Sequence, residues 1–480
     1  MRDLRPRAAG PSPRRGAGVS PPPLALADLP GDAWLVGGAV RDGLLQRPTA
    51  DCDVVVSGDP RRIARALARA AGAHAFVLSV QFGAWRVAAR DRSWQVDLLP
   101  LAGEAIEDDL SHRDLTVNAI AQPLRGGEYV DPFGGLQDLR AGRLRMVSAA
   151  AFAQDPLRAL RLARLHCELG FAVDPATAAA AGASAAALAE VAPERIFAEL
   201  ARIMTAPDAL RGLALMDSLG VTEAVLPELA ALRGVQQSRY HHLDAHEHTR
   251  AALAETIELE RAPGRWFPEY ADAVSALLAE PLADGMTRGQ ALRFGALLHD
   301  VAKPLTRAVS AEGRVTFTGH DAAGAEVASG MLARLRTSAR LSEHVAALVR
   351  HHLRLGFLVH ERPLTRRAVY GYLRACEPVG VDVTLLSVAD RLATHGRGAD
   401  AAIARHLELA RRLLPDALTW RAERPRPPVR GDELARAVGL APGPELGRIL
   451  GELEQASFAG EIAGREQAIE RARELLSVER

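Results

Sequence analysis

The segment Leu35–Val56, LVGGAVRDGLLQRPTADCDVVV, constrains the fold of this chain more than any other part of the sequence. A short apolar run ends at two glycines, a helix-like stretch follows, and a second apolar run begins with Asp51 and Asp53. Residues two apart on a strand face the same way, so the two carboxylates converge on one point. The pattern predicts a strand–helix–strand unit in a mixed α/β domain that presents two acidic side chains together.

The residue types in this unit favour phosphate chemistry that depends on a metal. Paired carboxylates suit Mg²⁺, which prefers carboxylates together with substrate phosphates. Two such ions about 3.5–4 Å apart activate an attacking hydroxyl and stabilise a leaving pyrophosphate. Gly37 and Gly38 carry no Cβ, so their backbone can approach a triphosphate, and Arg41 can add a charge-assisted contact. An Asp pair or a glycine pair alone is common in turns, but this order and spacing point to function.

Composition excludes several classes of protein. The 480 residues suggest about three domains. A hydrophobic fraction of 48% and a charged fraction of 25% exclude a collagenous, coiled-coil or wholly disordered chain. The formal net charge is zero, so a nucleic-acid partner must be held by local basic patches. Cys52, Cys167 and Cys376 form no CxxC pair, which indicates a reducing cytoplasm rather than a disulfide framework.

Periodicity divides the chain into a mixed α/β part and a longer helical part. Short runs rich in valine and aromatic residues predict strands from Ala33 onward, and amphipathic helical patterns begin near Ala149. No apolar run is long enough for a transmembrane helix, so no membrane partner is expected. We predict five regions: a disordered basic tail (1–28), a head domain (29–145), a helical neck (146–235), a helical domain rich in histidine (236–400), and a linker with a small helical tail (401–480).

With two further motifs, the sequence resembles the class II tRNA nucleotidyltransferases, the family of CCA-adding enzymes and bacterial poly(A) polymerases. The motifs are HRDLTVNAIA at 112–121, where the family usually has Arg instead of His112, and DPFGGLQDL at 131–139. The resemblance implies an α+β fold, a polymerase-β-like head with a mixed sheet, followed by all-α neck, HD and tail domains. It implies catalysis with Mg²⁺ at Asp51 and Asp53. It assigns nucleotide binding to Gly37, Gly38, Arg41, Asp42, Arg113, Asp114, Asn118, Asp155, Arg158, Arg161 and Arg164.

The segment AQDPLRALRLARL at 153–165 resembles the family's EDxxR helix, with Gln154 in place of its usual Glu. On one helix, Asp155 and Arg158 would be neighbours on the same face. Cytosine and adenine both offer an amine donor beside a ring-nitrogen acceptor, which Asp155 and Arg158 can pair with. Uracil and guanine present the reverse order and leave both groups unpaired, at about 1–3 kcal/mol each. A surface ion pair is the alternative interpretation.

The connection before Arg113 bears on how many nucleotides are added. Only fifteen residues separate Asp97 from Arg113. Many CCA-adding relatives carry a longer flexible loop here, thought to help the switch from CTP to ATP. A shortened loop resembles the CC-adding subgroup, and Asp97 is either a third acidic group near the metals or an exposed strand end.

A second group of residues resembles the HD superfamily of metal-dependent phosphohydrolases. The motif LLHDVAKP contains adjacent His299 and Asp300, and Lys303, the only lysine of the chain, stands three residues later. Imidazole and carboxylate together suit transition metals better than Mg²⁺ alone. The alternative is an HD fold kept only as an RNA-binding scaffold. The resemblance implies a phosphate contact from Lys303 and metal ligation by His248, His299, Asp300, His320, His352 and Asp390.

The leading hypothesis from these residues is a cytoplasmic CCA tRNA nucleotidyltransferase that adds CTP and ATP to the 3′ end of tRNA without a template. Its partners are tRNA, CTP and ATP, its cofactors are Mg²⁺ and a divalent transition metal at the HD site, and a phosphohydrolase activity accompanies it. Two alternatives stay open. One is a CC-adding or poly(A)-adding relative, and the other is a phosphohydrolase whose head only binds nucleotide.

Overall fold

The computed structural model describes residues 32–49, 51–237, 242–361, 363–395 and 398–478. The predicted basic tail at 1–28 lies outside these residues. The chain divides into two compact units, Met1–Ser184 and Ala185–Arg480. The boundary falls within the predicted helical neck at 146–235.

A six-stranded mixed sheet organises the first unit, in the order β3–β4–β5–β2–β1–β6. Strands β2 and β5 run parallel, and all other neighbours in the sheet are antiparallel. Two short strands, β7 and β8, form a separate parallel pair. The strands are β1 (Ala33–Val36), β2 (Asp51–Val56), β3 (His74–Ser79), β4 (Ala84–Ala88), β5 (Gln95–Pro100), β6 (Ala121–Pro123), β7 (Arg143–Leu144) and β8 (Ala172–Val173).

Helix α2 shows how sequence builds the core of this unit. Asp59 caps its first turn by accepting a hydrogen bond from the Arg61 amide, and Gly72 ends it in the left-handed conformation. Its buried face, which consists of Ile63, Ala64, Leu67 and Ala68, packs with the apolar residues of the sheet. The helices are α1 (Gly38–Leu44), α2 (Pro60–Ala71), α3 (Ile106–Ser111), α4 (Gly135–Ala141), α5 (Ala151–Gln154), α6 (Arg158–Leu169) and α7 (Pro175–Ala183), with a 3₁₀ turn at Thr116–Asn118.

The DPFGG motif forms a tight turn into α4. Asp131 accepts hydrogen bonds from the amides of Gly135 and Leu136 at 2.6 and 2.9 Å. A Cβ at Gly135 would overlap the Thr116 carbonyl oxygen and lie 2.8 Å from the Ile120 side chain. The glycine therefore permits a close approach of backbone to backbone.

Replacing Gly135 with alanine is expected to lower the free energy of unfolding by about 1–3 kcal/mol, because backbone must move to admit the methyl group. Gly43→Ala is the matched control, since nothing lies within 4 Å of a Cβ at that exposed helical position. Thermal denaturation of both variants checks this. An unchanged melting temperature for Gly135→Ala would contradict the packing described.

The second unit is almost entirely helical. Its helices are α8 (Pro193–Thr205), α9 (Ala209–Ser218), α10 (Val221–Val225), α11 (Pro227–Ala230), α12 (Ala245–Arg261), α13 (Ala271–Leu278), α14 (Arg288–Leu298), α15 (Lys303–Thr306), α16 (His320–Arg334), α17 (Ala339–His351), α18 (Arg354–Leu358), α19 (Arg366–Ala375), α20 (Gly380–Leu392), α21 (Ala399–Ala422), α22 (Gly431–Val438), α23 (Pro444–Phe458) and α24 (Gly464–Val478). Three 3₁₀ turns, Ala185–Glu190, Pro263–Arg265 and Pro268–Tyr270, complete it.

Two small ribbons interrupt this helical unit. They pair β9 (Pro281–Ala283) with β10 (Met286–Thr287) and β11 (Ala308–Val309) with β12 (Val315–Thr316). Sequence periodicity did not predict them, since strands of two or three residues are too short for an alternating pattern.

Helix α21 occupies the start of the region predicted as linker and tail. It packs against α20, and the irregular stretch before α22 covers only 423–430. Helices α22–α24 share a small apolar core of their own. Across the described residues, no helix has the length and apolar character needed to cross a bilayer.

Candidate functional site

Strand β2 carries the two predicted catalytic carboxylates. Asp51 is exposed at its first position and Asp53 follows two residues later on the same face. In the sheet, Asp53 lies opposite Val36 of β1 and beside Asp97 of β5. The register therefore places Asp53 at the residue where β1 turns into the glycine pair.

The glycine turn lies directly against Asp53. Gly37 has a φ of 69°, a conformation that favours glycine. A Cβ there would lie 3.4 Å from Asp53 Oδ2 and 3.5 Å from a guanidinium nitrogen of Arg113. Gly38 then begins α1. The structure thus brings the GG, DxD and HRD motifs together around one point.

The electrostatics at this point suit a divalent cation. Burial raises the pKa of Asp53, and the nearby Arg113 partly offsets this. Asp97 does not add a free carboxylate, because Arg86 of β4 binds both its oxygens at 2.6 and 2.7 Å. A cation shared by Asp51 and Asp53 would stabilise the buried charge, so the carboxylate pair fits a metal ion.

A chain of polar contacts continues from α1 to α6. Buried Arg41 binds the Asp42 carboxylate at 2.9 Å and donates to Asn118 Oδ1 at 2.6 Å. Asn118 in turn donates to Asp114 at 2.9 Å. Arg161 Nε lies 2.8 Å from Asp114 Oδ2, an ion pair without hydrogen-bond geometry. These contacts join five of the residues assigned to nucleotide binding.

Arg113 is oriented by α3. Its guanidinium donates to Asp109 Oδ2 at 2.8 and 3.2 Å. The four-residue spacing places the two side chains one above the other at the end of the helix. Asp109 therefore positions an arginine that also lies near Gly37 and Asp53.

The expectation that Asp155 and Arg158 share one helix face is wrong. Asp155 ends α5 in an extended conformation, and α6 begins only at Arg158. Pro156 explains the break, because the residue before a proline is disfavoured in the helical region. The Asp155 carboxylate instead accepts a hydrogen bond from the Leu157 amide at 3.2 Å.

Arg158 joins the break to the HRD motif. It donates to the carbonyl oxygens of Ala151 and His112 at 3.0 and 2.6 Å. Since a guanidinium carries five N–H donors, further donors remain for a base. Arg164, by contrast, is only 3% exposed and pairs with Glu168 at 2.8 Å. That burial favours a role for Arg164 in packing α6.

The second unit collects the six predicted HD residues from five helices or their ends, and we call these six residues the HD group. They form two groups of three, and within each group the candidate ligand atoms lie within 4.8 Å of one another. The first group is His248, His299 and Asp390, and the second is Asp300, His320 and His352. Asp300 connects the groups, with Oδ2 3.2 Å from His299 Nε2 and Oδ1 3.3 Å from His320 Nε2.

The imidazole rings are oriented as metal ligands. The Nδ1 atoms of His299, His320 and His352 bind backbone carbonyls at 2.6–2.8 Å. Their Nε2 atoms are buried and make no hydrogen bond within the described residues. Fixing Nδ1–H in this way leaves the Nε2 lone pair for a metal. Burial also lowers the pKa of His352 to about 4, so its ring is neutral at neutral pH.

Asp300 is held ionised. Although burial opposes it, His299 and Lys303 hold the pKa of Asp300 well below its usual range. Lys303 Nζ lies 2.5 Å from Asp300 Oδ2 and donates to Gln237 Oε1. Lys303 therefore lies beside Asp300 in the HD group, as the HDxxK spacing predicts.

Sequence reasoning missed several residues at these sites. Arg86 and Asp109 each orient a site residue, and Arg391 and Arg405 line a cleft beside His352 and Asp390. The i, i+4 spacing of Asp109 and Arg113 was a usable signal. The pairing of Arg86 with Asp97 depends on the register between β4 and β5, which the sequence does not state.

Family models match most of the chain. A model described as "Poly A polymerase head domain" matches residues 33–101 and 84–145. One described as "Probable RNA and SrmB- binding site of polymerase A" matches 170–232, and an HD domain model matches 274–395.

Curated relatives match over nearly the full length. The chain is 37% identical to an A-adding tRNA nucleotidyltransferase of Deinococcus radiodurans, covering 92% of this chain and 95% of that protein. It is 36% identical to a CC-adding tRNA nucleotidyltransferase of Thermus thermophilus, covering 92% of each. A Multifunctional CCA protein of Halorhodospira halophila is 36% identical and covers 70% of this chain.

Among solved structures, the chain resembles the Thermotoga maritima CCA-adding enzyme complexed with tRNA. The TM-score is 0.60 at 18% identity, covering 93% of this chain and 91% of that one. A CCA-adding enzyme with CTP gives a TM-score of 0.61 at 19% identity. These likenesses confirm the fold class, a mixed-sheet head followed by helical domains.

Proposed function

The chain belongs to the tRNA nucleotidyltransferase family, and we propose that it extends the 3′ end of tRNA from CTP and ATP at the Asp51–Asp53 site. The observation that carries the proposal is the convergence of Asp53, Gly37 and Arg113 on one point. The glycine turn leaves room for a triphosphate beside the carboxylates, and Arg113 and Arg41 supply positive charge for it.

Each residue has a chemical task in the transfer. The terminal hydroxyl of tRNA attacks the α-phosphorus of the nucleotide, the bond to the β-phosphate oxygen breaks, and pyrophosphate leaves. A Mg²⁺ ion held by Asp51 and Asp53 would stabilise the charge on the attacking hydroxyl oxygen and on the leaving pyrophosphate oxygen. Arg113 orients the triphosphate, and Asp109 holds that arginine in place. Because Arg86 binds both oxygens of Asp97, this carboxylate does not compete with Asp51 and Asp53 for the cation.

We assign base selection to Asp155 and Arg158. An Asp–Arg pair matches the donor and acceptor order of cytosine and adenine and mismatches that of uracil and guanine. Asp155 ends α5 and Arg158 begins α6, so base reading rests on the turn between these two helices.

Arg158→Ala is expected to raise UTP incorporation relative to CTP about tenfold, because uracil leaves Arg158 unpaired at a cost of about 1–3 kcal/mol and the variant keeps only the mismatch with Asp155. Competition between labelled CTP and UTP on one tRNA transcript measures the ratio. Arg62→Ala, an exposed arginine of α2 outside this turn, is the control. An equal loss of incorporation for both nucleotides would assign Arg158 to structure alone.

The short connection before α3 favours the alternative in which the chain adds only CTP and the product ends in CC. It covers only residues 101–105, and Asp108 Oδ2 fastens it by accepting from the Glu104 and Ala105 amides at 2.9 and 3.0 Å. Such a connection has little length to rearrange between CTP and ATP. Extension of a tRNA lacking CCA, with both nucleotides present, separates the alternatives: ends at CC support this interpretation, and ends at CCA show that a short connection suffices for the full sequence.

The HD group supports a second activity, hydrolysis of phosphate esters. The three buried Nε2 atoms and the shared Asp300 fit a divalent transition metal. Such a metal supplies activation of water and charge stabilisation at phosphorus. Lys303 adds a positive charge beside Asp300, where it can contact a phosphate oxygen. Release of phosphate from nucleotides by the purified chain tests this activity. We place both activities in the cytoplasm, where tRNA is matured.

A further inference from the structure

A cleft of about 710 Å³ lies beside the HD group. His352 and Asp390, one from each group of candidate ligands, line it. Its volume falls within the about 300–1,000 Å³ of small-molecule sites. A substrate whose phosphate reaches the metal ligands therefore has its remaining atoms in this cleft.

Two arginines line the same cleft. Arg391 follows Asp390 on α20, and Arg405 lies on α21. Arg391 is half-buried, and its buried Nε makes no hydrogen bond to any described residue, whereas Arg405 is exposed. Within the described part of the chain, no carboxylate oxygen lies within 4.0 Å of either guanidinium. A buried donor without a partner is unfavourable, so the lining at Arg391 favours an anion, and the exposed Arg405 adds a second positive charge.

The metal ligands do not account for the positive charge of Arg391 and Arg405. A simple phosphate monoester places its only anionic group at the HD residues and leaves Arg391 and Arg405 unpaired. A guanidinium is planar and binds phosphate oxygens two at a time. His406, also in the cleft, adds no charge at neutral pH, because burial lowers its pKa to about 4. A second phosphate on the ligand would pair with both arginines.

We propose that this cleft binds a nucleotide with phosphates on both sides of its ribose, one at the HD group and the other at Arg391 and Arg405. The proposal rests on the phosphohydrolase activity assigned above. Water adds to the phosphorus at the HD group, the P–O ester bond breaks, and the ribose oxygen leaves with a proton. The products are inorganic phosphate and a nucleotide that keeps its second phosphate. A free nucleoside 3′,5′-bisphosphate and an RNA end with a 3′-phosphate share this chemistry.

Steady-state phosphate release tests the cleft, with adenosine 3′,5′-bisphosphate compared with adenosine 3′-monophosphate. We expect a KM for the bisphosphate about tenfold or more below that of the monophosphate. Arg391→Gln should raise the bisphosphate KM about tenfold with kcat within about twofold, and leave the monophosphate unchanged. Arg412→Gln, two turns further along α21 and outside this cleft, should behave as the wild type.

Equilibrium binding separates failure of the cleft from failure of the hydrolase. Calorimetric titration of the bisphosphate into chelator-treated protein should show binding that Arg391→Gln weakens and Arg412→Gln does not. Such binding without any hydrolysis overturns the hydrolase and keeps the cleft. Equal KM values for the two substrates, or binding indifferent to Arg391, overturn the cleft. An oligoribonucleotide with a 3′-phosphate identifies the source: a KM below that of the free bisphosphate indicates RNA, and a higher one the free nucleotide.

Discussion

Replacing Asp53 with asparagine is expected to lower nucleotide incorporation into tRNA about 10³-fold or more. Asp53 is the half-buried member of the carboxylate pair, whereas Asp51 is exposed, and it lies against both Gly37 and Arg113. Asparagine keeps the shape but cannot balance the charge of a bound cation, and the charge stabilisation lost is several kcal/mol. Single-turnover extension of a labelled tRNA with CTP measures the loss.

Protein stability separates lost chemistry from lost folding in this variant. Because burial raises the pKa of Asp53, its ionised form destabilises the metal-free protein above the unfolded-state pKa. Asp53→Asn should therefore melt no lower than the wild type at neutral pH without metal. Asp32→Asn, an exposed residue of the same unit, should incorporate normally. Incorporation by Asp53→Asn within about tenfold of the wild type would remove Asp53 from the metal site.

The second large effect is expected for Asp300→Asn, which should lose bound transition metal and lower phosphate release about 10³-fold or more. Among the described residues, Asp300 is the one carboxylate that lies within 4.0 Å of histidines of both groups. Nucleotide incorporation should stay within about twofold, because the Asp51–Asp53 carboxylates belong to the other unit. Metal analysis of the purified variant and the two activity assays measure this.

Two further variants keep this test independent of folding. Asp300→Asn leaves the buried Lys303 ammonium without its carboxylate partner. Loss of that partner lowers the stability of the protein. His320→Gln removes a ligand and keeps that ion pair, so it should reproduce the loss of metal. Asp321→Asn is the matched control, because it is the same substitution as Asp300→Asn at a residue that follows His320 and lies outside both groups. Lost incorporation in folded His320→Gln would show instead that the two sites are coupled.

Local sequence patterns predicted the parts of each site that depend on local structure. The alternation along β2 was enough to place Asp51 and Asp53 on one face, and the glycine pair indicated the turn beside them. The family resemblance, confirmed by the relatives, named the six HD residues that the helices bring together. Such features depend on spacing within a few residues or on a complete motif.

The remainder depends on contacts between distant segments. The ion pair of Arg86 with Asp97 follows from the register of β4 on β5, and the arginine cleft from the packing of α21 against α20. Helical periodicity continued through Asp155, and only the conformational restriction from Pro156 reveals the break. The helical pattern alone therefore placed Asp155 and Arg158 on one helix, whereas Asp155 ends α5 and Arg158 begins α6.

Nucleotidyl transfer to tRNA is tested most directly by the intact mass of two tRNA transcripts, one lacking CCA and one ending in CC, after incubation with enzyme, Mg²⁺, CTP and ATP. We expect at least one transcript to gain whole cytidylate or adenylate units, with one pyrophosphate released for each, and neither UTP nor GTP to replace them. Unchanged mass of both transcripts would contradict this expectation and leave the HD group as the active centre of the chain.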